Sequence, residues 1–82
     1  MDREQLRRQV AQHPNAVRFD ELARLLVAYG WELARVRGSH HVFVRSGAQL
    51  TVPHRRPHVL AVYVRRVLEL TKEEEDGAGD GG

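Results

Sequence analysis

Apolar residues recur at intervals of three and four near both ends of the chain and at intervals of two in its middle, so helices should flank a short sheet. In residues 3–12, REQLRRQVAQ, Leu6 and Val10 stand four apart and mark one short amphipathic helix, ended by Pro14-Asn15. With two anchors its share of the core is expected to be slight. A second helix carries a fuller stripe, Leu22, Leu25, Leu26 and Tyr29. Asp20 is placed to cap its start, with Phe19 before it as a staple, and Gly30 to close it. Beyond Gly30 the period is two: Trp31, Leu33, Arg35 and Arg37 alternate with Glu32, Ala34 and Val36. Gly38-Ser39 breaks the run, HHVFVR resumes it, Ser46-Gly47-Ala48 turns, and QLTV makes a third strand. The two prolines of PHRRPH exclude a central strand. Pro57 suits the opening of a last helix whose inner face is Val59 or Leu60, Tyr63, Val67 and Leu70, with Arg65, Arg66 and Glu69 outward.

The order α-α-β-β-β-α predicts an α+β fold, with helices packed on one face of a three-stranded antiparallel sheet and the other face open for binding. Residues 1–71 read as one domain, and 72–82 as an acidic, glycine-rich, disordered tail. About seventy foldable residues make a small core, so self-association or a protein partner is expected. The absence of cysteine excludes disulfides and thiolate metal sites. No apolar run reaches the roughly 18 to 20 residues of a membrane span, and MDREQLRRQV lacks a signal peptide's apolar segment, so a soluble, cytoplasmic chain is expected.

Charge changes the picture more than composition does. The net charge of +2 conceals twelve Arg against six acids in residues 1–71, net +6, and a tail of net −4. Between Leu33 and Leu68 there is no acid, while seven Arg and four of the five His fall there. Such a basic surface suits a phosphate-backbone partner. It suits an acidic protein partner about equally well, or simple solubility.

The histidines sharpen that choice. Imidazole titrates near neutrality and moves protons without a metal. RNA supplies its own nucleophile, the 2′-OH, so acid-base placement and cationic stabilisation of the developing charge suffice to cleave it. His40 or His41, with Ser39, Arg35, Arg37 and Arg45, forms such a set, and His54 and Arg55 join it if the third strand lies beside the second. Gly38 admits a backbone conformation closed to other residues and lets a phosphate approach closely. Strand neighbours face opposite ways, so only one of His40 and His41 serves a given site. His40 shares a face with Val42 and Val44, His41 with Phe43 and Arg45, and periodicity does not choose between them. For any single histidine a surface or backbone-bonded role has the better odds.

A metal centre is disfavoured, because no acid or cysteine completes a ligand set and the arginines repel a cation. A Ser39–His40 nucleophilic pair lacks an acid to orient the imidazole. Stacking of bases on Phe43 or Trp31 is a further option, although Trp31, directly after a helix cap, fits a core better.

The run FDELARLLVAYGWELARVRGSHHVFVR, followed by LTVPHRR and a last amphipathic helix, resembles the HicA family of bacterial toxins over about Phe19 to Leu70. The resemblance implies a double-stranded-RNA-binding-like fold and a metal-independent endoribonuclease, an mRNA interferase that blocks translation when its HicB antitoxin is absent, with no cofactor. It places the catalytic histidine at His40, with His41 as the fallback. Arg35, Arg37, Gly38, Ser39, Arg45, His54, Arg55 and Arg56 are then the expected RNA contacts. The alternative is a non-catalytic double-stranded-RNA or nucleic-acid binding module using the same face. Two features depart from the family pattern. RRPHVLAVYVRRVLEL stands where lysines and a small-residue turn are usual, with Arg55 and Arg56 keeping the charge, and the helix at 3–12 is additional.

Overall fold

The structure is a computed structural model that describes residues 2–79, with side chains as far as Lys72. Its elements are α1 (Arg3–Gln12), α2 (Phe19–Ala28), β1 (Glu32–Arg37), β2 (His40–Arg45), β3 (Ala48–Pro53) and α3 (Ala61–Gly79). The strands form one antiparallel sheet in the order β1-β2-β3. Helix and sheet residues share a single core that includes Leu22, Leu25, Leu26, Phe43, Val52 and Val64. The α+β arrangement is therefore the one the periodicity implies.

The local chemistry of each element accounts for its ends. Asp2 caps α1, its carboxylate accepting the Gln5 N–H at 2.9 Å. Leu6 and Val10 are both buried in the common core, so α1 contributes more than two anchors promised. Arg7 explains part of this: its Nε donates to Thr71 Oγ1 at 2.9 Å and its Nη2 to the Leu68 carbonyl at 2.8 Å, tying α1 to α3.

Helix α2 starts one residue before the expected cap. Arg18, not Asp20, is the N-cap residue, and a guanidinium has no acceptor to offer. Glu21 supplies the cap contact instead, accepting the Arg18 N–H at 3.4 Å, while Asp20 sits in the first turn. At the other end Gly30, at φ 91°, donates to the Val27 carbonyl, and Trp31 donates to that of Leu26, both at 3.0 Å. This pair is the glycine-closed ending the sequence suggested. Trp31 and Phe43 are buried in the core, so neither ring is free to stack on a base.

Two-residue turns join the strands. Ser46 and Gly47 both have positive φ, 47° and 84°, as the hairpin turn with matching twist requires. The β1–β2 pairing contains an irregularity the alternation did not reveal: Leu33 pairs with Phe43 and Arg35 with Val42, leaving Ala34 as an unpaired bulge residue. One extra residue turns everything after it over. Leu33 remains on the helix side, opposite Phe43, whereas Arg35 and Arg37 pass to the open side, opposite Val42 and His40.

The last helix starts at Ala61, not at Pro57. The preceding segment is held out of helix by the Val59 N–H, which donates to the Val17 carbonyl at 2.8 Å. Val59, Val64, Val67 and Thr71 are the buried residues of this region, Tyr63 and Leu70 are half-buried, and Leu60 is exposed. Helical backbone continues past Lys72 to Gly79. The rest of the acidic tail expected to be disordered, residues 80–82, lies outside the described residues, as do the side chains of 73–79. No helix among the described residues is long and apolar enough to cross a membrane.

Candidate functional site

Pairing registers place the candidate side chains in rows, because residues directly opposite each other in antiparallel strands share a face. On the face away from the helices, Arg37, His40 and Pro53 form one row and Arg35, Val42 and Thr51 the next. Glu32, Val44 and Gln49 form the third row. Val42 is buried yet lies outside the core cluster, consistent with its position on this second face. His40, Arg35 and Arg37 are all exposed. At this end of the sheet the open face is therefore a cationic strip with an accessible imidazole in the middle strand.

His41 has the opposite surroundings. It lies on the helix side, half-buried, with its ring centroid 4.5 Å from that of Phe19. Its Nδ1 stands 3.1 Å from the Ser39 carbonyl. A carbonyl only accepts, so Nδ1 carries the hydrogen in this contact. His54 completes the group, its ring 4.6 Å from Phe19 and 5.8 Å from His41. The same Ser39 carbonyl accepts the His54 N–H at 2.6 Å, so one turn carbonyl binds the start of β2 to the residue after β3.

Beside His54 the segment between β3 and α3 and the start of α2 enclose a cleft of about 600 Å³. Arg18, Phe19 and Asp20 line one side and His54, Arg55, Arg56 and His58 the other. Arg55 folds back, its Nη1 donating to the His58 carbonyl at 3.3 Å. Arg18 pairs with Asp20 at 3.5 Å, both side chains largely in solvent. Sequence reading found His54, Arg55 and Arg56, and it missed Arg18 and His58. Arg18 carries no periodic signal, and only the packing of α2 against the strand ends brings it to the loop.

The sequence-predicted residues thus divide. Arg35, Arg37 and His40 share the open face, Gly38 and Ser39 form the turn, and His54, Arg55 and Arg56 border the cleft on the other side. Arg45 joins neither group. It lies on the helix side at the far end of β2, where its Nε is 3.0 Å from the position a Cβ on Gly30 would take. Among the described residues no three His, Asp or Glu side chains gather as a bound cation would need.

A family model described as "HicA toxin of bacterial toxin-antitoxin" matches residues 19–72, more than half of the chain. The chain belongs to the HicA toxin family. As a HicA-family chain it is the toxin of a toxin–antitoxin pair, with a cognate antitoxin as partner. The HicA match begins at the first residue of α2 and takes in the whole sheet, the basic loop and the described side chains of α3, leaving α1 outside. Comparison with curated proteins gives no match, and comparison with solved structures gives none.

Proposed function

We propose that this HicA-family toxin is a metal-independent endoribonuclease that cleaves mRNA in the cytoplasm and blocks translation, with His40 as the acid-base group, and that a HicB-type antitoxin neutralises it. The observation that carries the reading is the contrast between the two histidines. His40 is exposed on the open face in line with Arg37, whereas His41 is engaged by Phe19 and the Ser39 carbonyl.

The chemistry asks little beyond these groups. The neutral imidazole of His40 takes the proton of a 2′-OH as that oxygen bonds to phosphorus, the bond to the 5′ oxygen breaks, and the leaving oxygen takes a proton from solvent. Arg37, directly across the ladder, and Arg35, one row further, stabilise the charge that gathers on the phosphoryl oxygens. The turn at Gly38, with φ 57° and, among the described residues, no heavy atom beyond its chain neighbours within 4 Å of where its Cβ would stand, leaves space for the backbone of a strand to pass.

Expression without antitoxin tests the reading. Wild type should arrest growth and degrade mRNA, EDTA should leave cleavage by the purified protein unchanged, and co-expression of a HicB-type protein should restore growth. His40→Ala should do neither harm. Equal arrest and degradation by both would remove His40 as the catalyst. RNA binding without cleavage by wild type would establish the non-catalytic module instead.

A further inference from the structure

Two basic groups meet at one end of the sheet from opposite sides, and the reaction described above uses only one of them. The second is the cleft between the start of α2 and the β3–α3 loop, where Arg18, Arg55 and Arg56 outnumber a single acid, Asp20, and His54 and His58 add two imidazoles. The start of α2 brings one of these arginines to the cleft. Arg18 is the N-cap residue there, and the first-turn acid Glu21 is turned to the Arg18 N–H at 3.4 Å and to His13 Nε2 at 3.1 Å and is not among the lining residues. Among the lining residues Asp20 alone competes for the cations, exposed and shared between Arg18 at 3.5 Å and Arg24 at 4.0 Å.

We propose that this cleft is a second phosphate-binding subsite for the RNA strand, occupied by phosphates that flank the scissile one after the strand passes over the Ser39–His54 end of the sheet. The inference rests on the reading of RNA as the substrate and adds where the rest of that strand lies. Continuity supports it: the Ser39 carbonyl that accepts the His54 N–H sits in the turn directly before His40, so one hydrogen bond joins the strand end that carries His40 to a residue lining the cleft. An RNA strand fits the cleft better than an acidic protein does. Protein interfaces depend on buried apolar or aromatic anchors. Among the described residues the exposed large apolar ones, Val27, Leu33, Val36, Leu60 and Val62, all lie outside the lining, and Phe19 already packs between two imidazoles.

The test uses the full-length chain carrying His40→Ala, so that RNA survives, and measures affinity by fluorescence anisotropy across a salt series. The probes are labelled single-stranded RNAs of mixed sequence, about 4 and about 12 nucleotides long. Adding Arg18→Ala and Arg56→Ala should weaken the longer RNA at least about tenfold and flatten its log-log salt slope by about 1.4, two phosphate contacts at roughly 0.7 each. The shorter RNA should change little. Asp20→Asn should tighten the longer RNA. Unchanged affinity and slope for the longer RNA would overturn the subsite, as would an equal loss for both lengths. Retention of RNA binding together with lost binding to an acidic antitoxin would also overturn it and assign the cleft to a protein. Arg35→Ala with Arg37→Ala, in the same assay, reports separately on the open face. If that pair leaves both lengths unaffected, the proposed reaction face fails while the cleft result stands.

Discussion

Replacing each of the adjacent histidines in turn separates structure from chemistry at the start of β2. His41→Ala removes the contact of Nδ1 with the Ser39 carbonyl and the ring packed 4.5 Å from Phe19. A net hydrogen bond is worth about 0.5–1.5 kcal/mol and an aromatic pair about 0.5–1.5 kcal/mol beyond its burial. His41 is only half-buried, so we take about 1–2 kcal/mol for the sum. For a domain of this size each kcal/mol lowers the melting temperature by about 4–8 °C, so a fall of roughly 4–16 °C is expected. His40→Ala removes an exposed side chain and should stay within about 0.5 kcal/mol of wild type. Circular-dichroism melts of the two variants, purified from co-expression with antitoxin, measure one half of the contrast. RNA cleavage well below both midpoints measures the other, where His41→Ala should cut and His40→Ala should not. His41→Asn offers an amide donor in place of Nδ1 and should recover part of the stability. If His40→Ala melts as low as His41→Ala, or if His41→Ala keeps its midpoint and loses cleavage, the assignment of roles is reversed.

A substitution and a deletion test the frame that presents the site. Gly30→Ala places a side chain at φ 91° and 3.0 Å from Arg45 Nε. Backbone strain there costs about 1–3 kcal/mol, a drop of at least about 4 °C in the melt, and Arg45→Ala in the same chain should recover only the steric part. Deletion of Ala34 should be tolerated, an unusual outcome inside a strand, because it removes the unpaired bulge residue and leaves Arg35 and Arg37 on the face of His40. Loss of RNA binding by this deletion, in the anisotropy assay, would show that the bulge itself shapes the site.

The hydrophobic pattern made the helices, the meander and their order legible, because burying one face imposes a period of 3.6 or 2 wherever an element packs. Gly30 and the two hairpin turns were legible for a similar reason, since few residues tolerate a positive φ. Less was legible where a long-range bond overrides local preference. Val59, bonded to Val17, keeps residues 57–60 out of the last helix despite the suitable Pro57, and Arg7, bonded to α3, draws α1 into the core.

By itself the sequence determined that a basic strand junction with two imidazoles would stand in a small α+β domain, and the ordered motif around it carried the family. The tertiary structure decided which imidazole faces which partner. His40 and His41 are equivalent in composition and period, and they differ only because the helices cover one side of the sheet at β2 and β3 and Phe19 closes on that side. It also decided the company His40 keeps. Strict alternation would have sent Arg35 and Arg37 to the face of Leu33, and the bulge at Ala34, a feature of pairing between strands and not of either strand alone, returns both arginines to the open side.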